Sequence, residues 1–61
     1  PRVELTKVEY EIVSLLKEGN STDDIARARG VSRHTVSNQL AALYRKFNAT
    51  DRFSLLSKIE Q

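Results

Sequence analysis

Residues 25–36, IARARGVSRHTV, decide the fold of this chain of 61 residues. Two helices that cross steeply over a turn of about three residues need a small residue where their backbones approach, a residue that tolerates positive φ, and apolar residues on both sides. Four residues meet those needs at the right spacing: Ala26, Gly30, Val31 and Val36. Ser32 is placed to cap the helix that follows. The stretch predicts a helix-turn-helix, with a plain helical bundle as the alternative.

The chain before this turn contains a clear helix start. Thr6 and Glu9 have the spacing of a capping box, and Leu5 is placed to pack on Tyr10 as a hydrophobic staple. Apolar residues then follow in one helical stripe: Val8, Ile12, Leu15 and Leu16. Gly19 is suited to the left-handed position that ends a helix. These signals predict a first helix over about residues 7–18.

Three more helices are indicated by their caps and apolar faces. Ser21 begins a short helix that Gly30 ends. The third helix has one inward face, made of Val36, Leu40, Leu43 and Phe47. Asn48 takes the left-handed position at its end, and either Thr50 or Asp51 caps a last helix. That last helix packs on the core through Leu55, Leu56 and Ile59.

The predicted fold class is therefore all-α, a compact domain of four helices. Their predicted ranges are about 7–18, 22–29, 33–47 and 51–60, and no alternating strand pattern or internal repeat occurs. A chain of this size forms one small core, so we expect a single domain over residues 1–61. The chain does not begin with Met, and we expect it to be part of a longer protein.

Composition excludes several classes of function. The chain has no Cys and one His, so we expect no disulfide, no bound metal and no cofactor. No uninterrupted apolar run in the chain is longer than five residues, whereas a membrane span needs about 20. We therefore expect a cytoplasmic protein without membrane or small-molecule partners. Ser32 and His34 with Asp23 or Asp24 suggest an enzyme with a nucleophile and its base, but so small a bundle has no room for a catalytic pocket.

The positive charge is concentrated in one segment. The formal net charge is +2, and residues 32–50 carry three basic and no acidic residues. The segments before and after that one are neutral or slightly acidic. Such a cluster is typical of a surface that binds a polyanion, although three bases also fit a solvated helix surface. We expect double-stranded DNA as the partner.

The outward side of the third helix carries the candidate DNA contacts. Residues opposite the inward face are His34, Asn38, Ala41 and Arg45, with Ser37 on the flank. We assign base reading to Ser37, Asn38, Ala41 and His34, because Asn reads adenine, Ser bonds base edges and Ala meets a thymine methyl. We assign phosphate contacts to Arg33, Thr35, Arg45 and Lys46, near the two ends of the helix. For Arg33 and Arg45 the alternative is an ordinary solvated charge.

These motifs together resemble a known family of DNA-binding domains. The matching residues are Leu5-Thr6, Glu9, Glu11, Gly19-Asn20-Ser21, Ile25-Ala26, Val31-Ser32, Thr35-Val36, Leu40, Leu43, Lys46-Phe47 and Arg52. Over nearly the whole chain this pattern resembles the LuxR/FixJ-type helix-turn-helix of bacterial transcription regulators. The resemblance implies a C-terminal output domain of a response regulator or small-molecule sensor, with the third helix in the major groove and the main base contacts at the positions of Ser37, Asn38 and Ala41.

Several positions depart from the family pattern. Ser37 stands where Lys is frequent, Gln39 where His is frequent, Arg29 where Leu is usual, and Val8 where Arg is frequent. We expect the methylenes of Arg29 to lie on the core while its guanidinium stays in water or contacts a partner. The loss of Lys implies a different operator or weaker binding. Alternative functions are a module like region 4 of a sigma factor, and a protein-interaction adaptor that does not bind DNA.

The fourth helix is the expected dimer contact, a role that the resemblance implies. Phe53, Ser57 and Glu60 fall together on a side away from its inward face. An isolated surface Phe is the alternative. We expect a free monomer that pairs as a homodimer on two-fold-related DNA sites, with RNA polymerase as a further partner.

Overall fold

The computed structural model describes residues 4–59, which fold into four helices. They are α1 (Lys7–Lys17), α2 (Thr22–Arg29), α3 (Arg33–Phe47) and α4 (Arg52–Ile59). No strand occurs in this part of the chain, so the all-α prediction is confirmed. Two boundaries differ by one residue from the prediction: α1 ends at Lys17, because Glu18 is its C-cap, and α4 begins at Arg52.

The predicted N-terminal caps are present. Thr6 and Glu9 form a capping box, with 2.9 Å from the Thr6 nitrogen to Glu9 Oε1 and 3.2 Å from the Glu9 nitrogen to Thr6 Oγ1. Ser21 caps α2 in the same way through Asp24. Ser32 Oγ caps α3 by accepting from a backbone N–H of its first turn at 3.1 Å. These bonds satisfy amide groups that a helix leaves unpaired at its start.

Of the two residues predicted to cap α4, Thr50 and Asp51, the structure uses Asp51. Its Oδ1 accepts from the Ser54 N–H at 2.8 Å, while the Asp51 carbonyl accepts from the Leu55 N–H at 2.9 Å. Ser54 lies three residues after Asp51, which is the usual spacing of a side-chain cap.

Left-handed residues end the first three helices, as predicted. Their φ values are +89° at Gly19, +69° at Gly30 and +54° at Asn48. At Gly30 the next residue, Val31, donates its N–H back to the Ala26 carbonyl at 3.0 Å. This bond closes the end of α2, so the chain reverses within the short turn that leads to α3.

One apolar core joins the four helices. Its buried residues are Ile12, Val13, Leu16, Ile25, Ala26, Val36, Leu40, Leu43 and Leu55. Phe47, Leu56 and Ile59 pack against it, as predicted for α3 and α4. Of the predicted turn residues, Ala26 and Val36 are buried, whereas Val31 is exposed.

The predicted inward stripe of α1 is wrong at one end. Val8 is 38% exposed, and Val13 is buried instead. The buried arc of α1 is centred on Ile12, Val13 and Leu16, and at 100° per residue Val8 lies at its edge. Leu5 packs against the core, while its proposed staple partner Tyr10 is exposed.

Candidate nucleic-acid interface

The outward face of α3 carries the four residues predicted to read bases. His34, Ser37 and Asn38 are exposed, and Ala41 is half-buried. The opposite side of the same helix is buried in the core through Val36, Leu40 and Leu43. The helix therefore turns a polar row of side chains to solvent while its other side is fixed by packing.

Two residues of this row contact each other. Asn38 Nδ2 lies 3.2 Å from His34 Nε2, one helical turn earlier. When the imidazole proton is on Nδ1, Nε2 accepts from the amide of Asn38. A second amide hydrogen and the amide oxygen of Asn38 then remain for another partner. The contact limits the rotamers of Asn38 without using up its hydrogen-bonding groups.

The start of α3 holds two predicted phosphate contacts, and both have partners within the protein. Arg33 Nε lies 3.3 Å from Asp23 Oδ1, and both side chains are exposed. The Thr35 hydroxyl lies 2.9 Å from the Ser32 hydroxyl. An exposed ion pair of this kind contributes little to stability, so Arg33 can exchange Asp23 for another anion at small cost.

The two basic residues near the end of α3 have different surroundings. Lys46 Nζ donates to the Glu4 carbonyl and to Glu9 Oε1, each at 2.7 Å, and so joins the end of α3 to the start of α1. Arg45 is exposed, and its side chain makes no hydrogen bond or ion pair with another residue between 4 and 59. Arg45 is thus available to an external anion, whereas Lys46 is engaged inside the domain.

The Lys46 contact affects the protonation of Glu9. The hydrogen bond from Lys46, together with the Thr6 N–H, holds the pKa of Glu9 below its ordinary value. A carboxyl group with a lowered pKa in the folded state stabilises the fold above its unfolded pKa, and this contribution is lost as the pH falls through the folded value. Asp24 also has a lowered pKa, caused first by the Ser21 N–H.

We expect Glu9→Gln to make the free energy of unfolding depend less on pH in the acid range. In the wild type the free energy of unfolding should fall as the pH drops below the unfolded Glu pKa of about 4.3, since Glu9 takes up a proton on unfolding. The variant should lose up to about 1 kcal/mol at neutral pH, because Gln can still accept from the Thr6 N–H but has no charge to pair with Lys46, and it should show a flatter acid slope. Urea titrations at several pH values measure both quantities. Glu18→Gln removes the same charge at the end of α1, away from the capping box and from Lys46, and is the matched control; equal slopes for Glu9→Gln and the wild type would contradict the expectation.

The structure reveals a polar contact that the sequence did not predict. The expectation is that the Arg29 guanidinium stays in water or contacts a partner, but its side chain is only 13% exposed. Its Nη1 donates to Gln39 Oε1 at 2.7 Å, and its Nε lies 3.5 Å from Glu11 Oε1. The end of α2 lies between α1 and α3, so the guanidinium reaches polar groups of both. The signal in the sequence was that Arg29 and Gln39 both depart from the family pattern.

The proposed dimer surface lies on α4. Phe53 is 78% exposed, the largest exposure among the large apolar residues of the described chain, and Ser57 is exposed. Leu55 is fully buried on the other side of the helix. Glu60, the third predicted member, lies outside the described residues.

Between residues 4 and 59 no helix has both the length and the apolar character to cross a membrane. Within the same residues no group of three or more His, Cys, Asp or Glu side chains is arranged to hold a metal ion.

Comparison with known proteins identifies the family. The family model GerE, described as bacterial regulatory proteins of the luxR family, matches residues 3–59. Searches of curated proteins and of solved structures gave no significant match. The match covers the whole helix-turn-helix and the helices on both sides of it, and the family is one of DNA-binding regulatory domains, not of enzymes. The chain therefore belongs to the luxR family of bacterial regulatory proteins and is a DNA-binding domain of transcription regulation.

Proposed function

We propose that this domain binds specific sequences of double-stranded DNA by placing α3 in the major groove. The observation that carries the proposal is the two-sided character of α3, whose core side is buried and whose outward side is a row of polar and small residues. The surrounding segment also holds the concentrated positive charge, which favours binding to phosphates. An α-helix fits the major groove, where each base pair presents its own donor and acceptor pattern.

We assign base reading to the outward row of α3, which consists of His34, Ser37, Asn38 and Ala41. Asn38 can pair with the N6 and N7 positions of adenine, and its contact with His34 restricts its side chain before DNA arrives. Ser37 can donate to or accept from a base edge, and Ala41 is small enough to let the helix approach a thymine methyl. His34 lies one turn nearer the start of the helix and completes the row.

We assign the phosphate contacts to residues at the two ends of α3. Arg45 is exposed, and Arg33 has only an exposed ion pair to give up. Thr35 and the first backbone N–H groups lie at the positive end of the helix dipole. Lys46 was predicted as a further phosphate contact, but its ammonium would have to leave Glu9 first. Arg33 and Arg45 are therefore the anchors that we favour.

The salt dependence of binding tests this proposal. Arg33 and Arg45, each neutralising one phosphate per protomer, should give a slope of about −2 when log K is plotted against log salt. The measurement is fluorescence anisotropy of a labelled duplex at several salt concentrations, with a duplex of unrelated sequence as competitor. A flat salt dependence, or no binding, would contradict DNA binding and favour a protein-interaction adaptor.

We also propose that two copies pair on DNA through α4, within a longer regulator. The exposed ring of Phe53 beside Ser57 supports a contact surface on this helix. So small a patch is far below the roughly 1,200 Å² of a stable interface, so the free domain should be monomeric. The family resemblance supports a response-regulator parent in the cytoplasm that works with RNA polymerase.

We expect Phe53→Asp to abolish cooperative binding while leaving single-site binding intact. The charge would face the partner copy on a two-fold site but would touch nothing on a single half-site. Titration of DNA with one or two half-sites, about one helical turn apart or less, measures this difference. Tyr10→Asp makes a similar change at an exposed aromatic residue of α1 and should keep cooperativity. Cooperativity that survives Phe53→Asp would remove this residue from the interface.

A further inference from the structure

We propose that Arg29, Gln39 and Glu11 form a positioning network that sets how α3 is rotated against α2 and α1. The network would thereby determine which side chains face the DNA bases. This inference rests on the proposed function, because it explains how the base-reading row is held in place.

The contacts of Arg29 join three helices. Arg29 is the last residue of α2, directly before the left-handed Gly30. Its hydrogen bond to Gln39 reaches α3, and its Nε faces the carboxylate of Glu11 on α1. Among the described residues, Arg29 Nε is the buried side-chain nitrogen without a hydrogen bond, which leaves the bond to Gln39 as the directional contact of this guanidinium.

The bond to Gln39 adds a directional restraint to the packing of α3. The buried Val36 and Leu40 fix which side of the helix faces the core, but the hydrophobic effect itself has no preferred direction. A hydrogen bond weakens steeply as its angle departs from linearity. Gln39 follows Asn38 directly and lies on the flank between the buried face and the outward row. A rotation that breaks this bond therefore also moves Asn38.

The partly buried charge makes the network costly to break. A guanidinium that is largely removed from water needs its partners, and the loss of Gln39 would leave it unsatisfied. Arg27, the other arginine of α2, offers a contrast. Its Nη2 pairs with Asp24 on the same helix at 2.7 Å, and its side chain is 76% exposed. Arg27 therefore cannot position α3, and it is a matched control for changes at Arg29.

The test measures selectivity for sequence and not only affinity. A preferred duplex is first selected from a random library with the wild-type domain. Dissociation constants are then measured for that duplex and for a random one, with Arg29→Leu, Gln39→Leu, the double variant and Arg27→Leu. Circular dichroism confirms that each variant is folded at the temperature used. Arg29→Leu and Arg27→Leu remove the same charge, so their general loss of phosphate attraction should be equal.

We expect the ratio of the two dissociation constants to fall about 10-fold in Arg29→Leu and in Gln39→Leu, and no further in the double variant, because the pair acts as one unit. Arg27→Leu should keep the wild-type ratio. If Gln39 instead touched DNA itself, Arg29→Leu would keep selectivity, and that result would overturn the network.

Two further outcomes separate this inference from the proposed function. Wild-type selectivity that is retained by both single variants would overturn the network alone, whereas a wild-type domain that selects no sequence would overturn the proposed function as well. If Arg29→Leu fails to fold, Arg29→Lys keeps the charge and most of the apolar stem. We expect it to lose selectivity to a similar extent, because an ammonium is not a planar donor in the fixed position of Nη1, and full selectivity in Arg29→Lys would overturn the network.

Discussion

Asn38→Ala should weaken binding to the selected duplex by about 1 to 3 kcal/mol, or roughly 5- to 150-fold, and should remove the preference at one base pair. The reason is that Asn38 is exposed on the outward row of α3 and can offer a donor and an acceptor to one base. The measurement is binding to the selected duplex and to a set of duplexes with single base-pair changes.

Arg45→Ala is the matched change for a phosphate anchor. Arg45 lies on the same outward side, two turns further along α3, and should contact the DNA backbone. We expect Arg45→Ala to weaken binding to selected and random duplexes alike. The slope of log K against log salt should become less steep by about one unit. If the two variants behaved identically on both kinds of duplex, the division of α3 into base-reading and anchoring residues would be wrong.

Leu43→Ala should remove much of the stability of the domain. Leu43 is fully buried on the inward side of α3, and such a change costs about 2 to 5 kcal/mol through lost burial and the remaining cavity. A chain of this length has a total stability of roughly 3 to 9 kcal/mol. Urea denaturation should show a clear shift of the midpoint, and binding should decline only as far as the domain unfolds.

Leu56→Ala is the matched control for the stability loss in Leu43→Ala. Leu56 loses the same atoms but is only half-buried beside the core, so we expect a smaller loss, about 1 kcal/mol. Equal losses for the two variants would show that Leu43 does not occupy the centre of the core. Together with Asn38→Ala, this pair tests the assignment of opposite sides of α3 to stability and to recognition.

The helices were predictable from the sequence because their signals are local. A capping box such as Thr6 with Glu9, or a left-handed Gly30, acts within one turn of the chain. The periodic apolar residues of α3 also point to one side whatever the rest of the fold does. The prediction failed at Val8 because a stripe defines a face only to within about one residue, and the position of the neighbouring helices decides where that face is centred.

The candidate site was predictable only as a set of positions. The outward row of α3 follows from the helical period once Val36 and Leu43 are taken as buried. The side-chain contacts within that site could not be predicted, because they depend on rotamers that the sequence does not specify. Asn38 contacts His34, and the hydroxyl of Thr35 contacts that of Ser32. Residue types predicted phosphate contacts equally for Arg45 and Lys46, although their surroundings differ.

The sequence by itself determined the four helices, the turn between α2 and α3 and, apart from the edge of the α1 face at Val8, the faces that they bury, because these depend on backbone preferences and apolar periods over a few residues. Only the tertiary structure decided the partners of the long charged side chains. Lys46 meets Glu9 across 37 positions of sequence, and Arg29 meets Gln39 across 10. Flexible side chains can reach many charged groups of similar strength, so the packing of the helices selects which partner lies within hydrogen-bonding distance.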